Sequence, residues 1–310
     1  MCTAIKHKGF FGRTLDFECA YSCKAVIMPR NFKFKYLYEE SPVPHYAIMG
    51  IAHVETGMPL FFDAINEKGL GIAGLNFPNN AKYQPRTAGF LNVASFELIP
   101  FILSKCDSVD NAHNLLKSIN ITNDSFSSAL PATPLHWLIA DTDRAICVEM
   151  TKKGLEIYEN PYEVLTNNPT FDYHINNLSS YMHLTPLPVN NTLCPDLELK
   201  AYSRGLGAVG LPGDYSSASR FVRTVFVKNH ILETSNPVYD FFHILRTVSV
   251  PLGCIITDTG APVSTIYTTC ADLKGGKYYY STYENPQISF FSFDNTNLNQ
   301  NRLWCDNMLK

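Results

Sequence analysis

Met1-Cys2-Thr3-Ala4-Ile5-Lys6-His7-Lys8-Gly9-Phe10-Phe11-Gly12-Arg13-Thr14-Leu15-Asp16 reads as two strands, residues 3–7 and 10–16, around a Lys8-Gly9 turn. Folded back on itself, the second strand returns beside Cys2. On that strand Arg13 and Leu15 face one side, and Thr14 and Asp16 the other. Cys2 becomes residue one if Met1 is removed, and a small second side chain permits that removal. A terminal Cys carries both a thiol and an α-amine of pKa about 8, so nucleophile and base sit on one residue. A free thiol, of pKa about 8.5, becomes mostly thiolate when a cation such as Arg13 is near. Taken singly, these features are ordinary: Cys is merely allowed at position two, and an exposed Arg–Asp pair contributes little.

Working outward, residues 59–77 hold two apolar strands around Asn66-Glu67-Lys68-Gly69. The pattern predicts helices over 93–105 and over about 108–119, the latter with Ser108 as N-cap. Strands follow at 136–141, 145–151 and 155–159, then a short one at 163–166 that ends in Asn167-Asn168-Pro169. Residues 170–200 read as irregular with one helical piece. The Gly-rich stretch 203–214 reads as a loop, 219–232 as a helix, and 264–270 and 277–293 as strands around Gly275-Gly276. Strands lead, helices group in the middle and strands return, which argues against regular βαβ winding.

The 310 residues allow two domains or one large one. Hydrophobic residues at 45% and charged residues at 17% exclude a disordered chain. A formal charge of −3 excludes a strongly basic nucleic-acid footprint. No run approaches the ~20 apolar residues of a membrane span, and the N-terminus lacks a signal-peptide core. The expected location is therefore the cytoplasm, with no membrane and no nucleic-acid partner. There, the nine cysteines are expected as reduced thiols. Cys19 and Cys23 lack a second ligand pair, so no zinc site is expected.

Further candidates are Asn76, in Gly74-Leu75-Asn76-Phe77-Pro78, and Asn167. Neutral amide donors suit an oxyanion hole, although Asn near Pro is also plain turn chemistry. Arg220, in Ser219-Arg220-Phe221-Val222-Arg223, could orient a polar or anionic group or lie on a solvated helix face. His136, in Leu135-His136-Trp137, reads as a strand residue. No nucleophile elbow, phosphate loop or zinc-protease motif is present. Gly205-Leu206-Gly207-Ala208-Val209-Gly210 matches a dinucleotide fingerprint only superficially, since it lacks a βαβ setting.

In their order, these motifs, together with Asn66-Glu67-Lys68-Gly69-Leu70, Gly210-Leu211-Pro212-Gly213-Asp214 and Tyr283-Glu284-Asn285, resemble the choloylglycine hydrolase family of bile salt hydrolases and penicillin V acylases. The resemblance spans residues 2–293 as one domain, with 294–310 as a variable tail. It implies an N-terminal nucleophile hydrolase fold of class α+β, a four-layer αββα sandwich of two antiparallel sheets. It also implies a catalytic set of Cys2, Arg13, Asp16, Asn76, Asn167 and Arg220, no metal or cofactor, and a homotetramer. On the family pattern Leu15, Phe62, Phe126, Leu130 and Leu135 line an apolar substrate pocket, with 17–30 and 124–135 as rim loops. Penicillin V acylases usually carry Tyr where this chain has Asn76, which favours conjugated bile salts as substrate. Tyr202-Ser203-Arg204-Gly205 resembles the form found in taurine-preferring members, with Arg204 as the conjugate-reading residue. The alternatives are hydrolysis of penicillin V or another N-acyl amide, and a non-catalytic steroid or lipid binder on the same scaffold.

Overall fold

The structure is a computed structural model and describes residues 1–307. Lys8 and Gly9 take φ of 50° and 82°, the left-handed pair that matches the twist of a tight hairpin. Strand β1 (Cys2–His7) therefore folds straight back as β2 (Phe10–Phe17). The next elements are β3 (Lys24–Met28), β4 (Ile48–Glu55), β5 (Met58–Asn66), β6 (Gly71–Asn76), β7 (Leu91–Ala94), α1 (Leu98–Lys105), α2 (Val109–Leu116) and β8 (Ile119–Thr122). Then come β9 (Leu135–Ala140), β10 (Ala145–Thr151), β11 (Gly154–Glu159), β12 (Val164–Leu165), α3 (Phe171–Leu178), α4 (Ser217–His230) and α5 (Pro237–Arg246). The chain closes with β13 (Ser264–Asp272), β14 (Lys277–Thr282), β15 (Ser289–Ser292) and β16 (Trp304–Asn307).

Six strands form one sheet in the order β12-β1-β2-β13-β14-β15, and eight form another, β11-β10-β9-β6-β5-β4-β3-β16. Neighbours in both are antiparallel. Helix α1 packs on β4, β5 and β6, while α4 and α5 pack on the six-stranded sheet. The layers run helix, sheet, sheet, helix, which is the αββα sandwich. Apolar side chains of both sheets, among them Ala4, Phe11, Ile51, Ile65, Ala73 and Leu138, bury the middle layer. Gly12 lets β2 lie close to β13, because a Cβ there would stand 2.1 Å from the Thr269 carbonyl oxygen.

Several boundaries differ from the sequence reading. The helix expected over 93–105 begins only at Leu98, since Leu91–Ala94 is a strand paired in parallel with Ile119–Thr122. The pairing partner lies far along the chain, and Val93-Ala94 alone fits either state. The stretch 277–293 splits into β14 and β15. The expected rim loop 17–30 contains β3, and β4, α5 and β16 carried no recognised signal. Ser108 does cap α2, accepting from the Asn111 amide at 3.3 Å. Trp304–Asn307 pairs with β3 at the edge of the larger sheet. Among the described residues, no helix is long and apolar enough to cross a membrane.

Candidate active site

The β1–β2 register sets Cys2 opposite Leu15 and Ala4 opposite Arg13. With period-two alternation, Cys2, Arg13 and Leu15 share one face of the sheet. That face looks toward the larger sheet, and Cys2, only 2% exposed, opens onto a cavity of about 280 Å³ between them. Apolar side chains dominate its wall: Leu15, Phe17, Leu60, Phe61, Phe62, Phe96, Phe126, Leu130 and Leu135, with Tyr21, His53, Asn76 and Thr133 as polar edges. Phe126 meets Phe96 edge-on, with ring centroids 5.4 Å apart.

Arg13 is fully buried. Its Nε donates to the Thr14 carbonyl at 3.2 Å, and Nη1 to the carbonyls of Phe62, at 3.2 Å, and Gly74. Its Nη2 has no hydrogen-bond partner among the described residues, and the residue borders the cavity. Burial works against the Arg13 charge, but Cys2, Tyr267, Asp63 and Asp16 outweigh it and hold the guanidinium firmly protonated. Asp63, on β5, is a buried carboxyl that the sequence reading missed. It accepts from Tyr267 Oη at 2.6 Å, from Thr269 Oγ1 at 2.9 Å and from Tyr278 Oη. Burial raises its pKa, while Arg13 and these hydroxyls pull it back.

On the other side of Cys2, its backbone nitrogen donates to Asn167 Oδ1 at 2.7 Å. Arg220 Nη2 donates to the same oxygen at 2.7 Å, and its Nη1 reaches Thr3 Oγ1 at 2.7 Å and the Cys2 carbonyl. Arg220 Nε completes the set on the Tyr215 carbonyl at 3.0 Å. Asn167 Nδ2 donates to the Asn76 carbonyl at 2.7 Å. Asp16 pairs by backbone with Met1, its amide 2.9 Å from the Met1 carbonyl, and its carboxyl accepts from Thr265 at 2.7 Å and Thr14 at 3.2 Å. Burial raises the Asp16 pKa, opposed by Arg220, the chain's ammonium and both threonines.

The structure thus brings Cys2, Arg13 and Asn76 onto one cavity, sets Asn167 and Arg220 on the Cys2 backbone, and leaves the Asp16 carboxyl on Thr14 and Thr265. Leu15, Phe62, Phe126, Leu130 and Leu135 line the cavity. Arg204 is the exception among the candidates: it is exposed and does not line this cavity. Gly205, the next residue, takes a φ of 83°. One group of potential metal ligands occurs among the described residues, His136, Cys147 and Glu149, all buried and within 4.8 Å of one another. His136 Nδ1 is 3.0 Å from Glu149 Oε1, the spacing of a hydrogen bond, and the group lies in the core away from the cavity.

Residues 2–306 match the choloylglycine hydrolase family of linear amide C–N hydrolases. A bile salt hydrolase/transferase from Lactiplantibacillus plantarum is 44% identical over 98% of this chain and 95% of its own length. The solved structure of a mutant conjugated bile acid hydrolase from Clostridium perfringens superposes with a TM-score of 0.92 at 36% identity, covering 99% of this chain and 96% of that one. A penicillin V acylase from Agrobacterium tumefaciens, at 20% identity and a TM-score of 0.76 over 100% of this chain and 93% of its own, shares the fold. This chain belongs to the choloylglycine hydrolase family of linear amide C–N hydrolases.

Proposed function

We propose that this chain is a bile salt hydrolase, cleaving the amide bond of glycine- or taurine-conjugated bile salts with Cys2 as nucleophile once Met1 is gone. The observation that carries the reading is the placement of Cys2 and Arg13 side by side on a mainly apolar cavity. A rigid steroid body suits such a wall, and a developing or fixed negative charge suits the Arg13 guanidinium. The names of the relatives from Lactiplantibacillus plantarum and Clostridium perfringens support the same substrate class.

Loss of Met1 turns the Cys2 amide nitrogen into an α-amine at the place where Asn167 Oδ1 now holds it. The amine takes the thiol proton, and Arg13 attracts the resulting thiolate. Sulfur attacks the amide carbonyl, and the oxyanion draws on Asn76 and on the second Nδ2 hydrogen of Asn167. The C–N bond breaks as the leaving glycine or taurine amine takes the proton from the Cys2 ammonium. Water then gives a proton to the Cys2 α-amine and adds to the thioester, releasing free bile acid and restoring the thiolate and the Cys2 ammonium. Asp16 and Arg220 hold the chain start in place.

The reading extends to a cytoplasmic homotetramer and, on the Ser203-Arg204-Gly205 sequence alone, to a preference for taurine conjugates. The test is release of taurine or glycine from taurocholate and glycocholate by protein whose mature N-terminus is Cys2. No release from either refutes it, and faster turnover of penicillin V moves it to the acylase branch. Cys2→Ser is expected to lose at least ~10³-fold in turnover, and full activity in that variant would remove Cys2 from the reaction.

A further inference from the structure

We propose that His136 and His174 are positioning residues for Asn167: two buried imidazoles clamp consecutive carbonyls of its backbone and so aim its side-chain amide at Cys2. The proposal rests on the reading of Asn167 as a site group. Strand β12 stops at Leu165, whose last partner in the sheet is Ala4. Thr166 and Asn167 have therefore left the backbone ladder that would otherwise hold them. Histidines take over. His136 Nε2 lies 2.8 Å from the Thr166 carbonyl oxygen and His174 Nε2 lies 2.9 Å from that of Asn167. A carbonyl only accepts, so each ring must carry a proton on Nε2, and the contact of His136 Nδ1 with Glu149 Oε1 needs a further proton between those two atoms.

The peptide between Thr166 and Asn167 is gripped at both ends, because the Asn167 amide donates to Ser217 Oγ at 2.8 Å. With His174 on the following carbonyl, both peptide planes that flank the Asn167 Cα are fixed. Two fixed planes set φ and ψ, and these set the direction of Cβ. The side-chain oxygen then meets Cys2 N and Arg220 Nη2, each at 2.7 Å.

Both clamps are themselves locked. His136 is fully buried, stacks on Phe77 at 4.1 Å between ring centroids and has Nδ1 3.0 Å from Glu149 Oε1. That same oxygen accepts from the Phe171 amide at 3.1 Å, tying the dyad to the start of α3. His174 stacks on Phe221 at 4.9 Å, the residue after Arg220. Burial, aided by His136 and Arg220, lowers the His174 pKa to about 4 against the carbonyls of Asn167 and Pro169, so this ring carries a single proton at neutral pH.

The experiment compares His174→Phe, which keeps a ring and deletes the donor, with His174→Gln, which restores an N–H at similar reach. Loss of aim by a fraction of an ångström is expected to lower kcat on taurocholate roughly tenfold to a hundredfold in His174→Phe. KM should stay within about threefold, and Gln should recover most of kcat. The rate of Cys2 alkylation by iodoacetamide should fall far less than kcat in both, since Cys2 Sγ and Arg13 are untouched and only the aim of Asn167 changes. Full kcat in His174→Phe overturns the clamp, as does a Gln variant no better than Phe at equal thermal stability. Nitrogen-15 spectra of the wild-type histidines provide a readout that needs no variant. Protonated Nε2 on both rings supports the clamp, and a proton on His174 Nδ1, turned to Pro169, overturns it. Absence of wild-type turnover, or full turnover in Asn167→Ala, refutes the reading of the site instead and leaves the spectra to judge the clamp alone.

Discussion

Cys2 lies between two fully buried arginines that are built in opposite ways. Arg220 is saturated: its three nitrogens reach the carbonyls of Tyr215 and Cys2, Thr3 Oγ1 and Asn167 Oδ1. Arg13 spends Nε and Nη1 on carbonyls and leaves Nη2 without a hydrogen-bond partner among the described residues. Burial opposes both charges. At Arg13, Cys2, Tyr267, Asp63 and Asp16 more than offset it, whereas at Arg220, Asp16 and Cys2 do not, and its pKa falls. An unsatisfied buried donor costs about 1–3 kcal/mol, which persists only where the surrounding structure enforces it. The difference sets an arginine partnered at every nitrogen beside one whose charge is held by buried acidic groups and Cys2.

Substitution of each arginine by Gln tests this contrast and carries the largest expected effects. Arg13→Gln should lower kcat/KM on taurocholate by roughly 10²–10³-fold, the loss typical of one charge-stabilising group, and should slow alkylation of Cys2 by iodoacetamide. Arg220→Gln leaves several buried partners unpaired and should cost about 3 kcal/mol or more of stability, read as a lower denaturation midpoint. Its alkylation rate should change less than about threefold. Equal slowing of alkylation in both variants would erase the distinction.

The cavity belongs to the Arg13 side, so trimming its wall should affect binding and spare the chemistry. Phe126→Ala gives up about 1.5–3 kcal/mol of apolar contact at most, and a KM raised roughly tenfold with kcat within twofold is expected. A kcat loss as large as the KM change would mean that the wall also sets attack geometry. Asp63→Asn is subtler. It removes a negative charge that shares Arg13 with Cys2. Alkylation of Cys2 at neutral pH should become faster. An unchanged rate would show that Asp63 holds its proton in the native enzyme.

The Arg13 side was also the more legible of the two in sequence. Cys2, Arg13, Leu15 and Asp16 lie in one hairpin whose turn, Lys8-Gly9, announces itself, so local rules bring them together. Asp63 gave no signal, because its three hydroxyl donors, Tyr267, Thr269 and Tyr278, come from the opposite sheet more than 200 residues later. His136 read as a plain strand residue, and so it is by backbone; its role comes from Thr166, a neighbour only after folding. The strand Leu91–Ala94 was hidden for the same reason, since its parallel partner is Ile119–Thr122. Arg204 shows the converse: a motif resemblance located it, yet the folded chain leaves it on the surface, away from the cavity.

The smallest expected effect belongs to the Arg220 side and concerns pH. His174 falls from the usual 6.5 to about 4, chiefly through burial, with His136 and Arg220 adding to the shift. Between these values the unfolded chain binds a proton at this position and the native chain does not. Acid therefore favours unfolding, and stability rises with pH across the window from 4 to 6.5. The full stability is present well above pH 6.5 and fades below it with a slope that approaches roughly 1.4 kcal/mol per pH unit, about 1 kcal/mol being lost between pH 6.5 and pH 5.5. His7, also lowered to about 4, acts with the same sign, so the whole-protein slope alone does not identify the group. The comparison of wild type with His174→Gln does: urea denaturation at pH 7.5 and pH 5.5 should show a stability loss smaller by about 1 kcal/mol in the variant. Equal losses would mean that the His174 ring is already accessible to protons, and that the saturated side of Cys2 is looser than its hydrogen bonds imply.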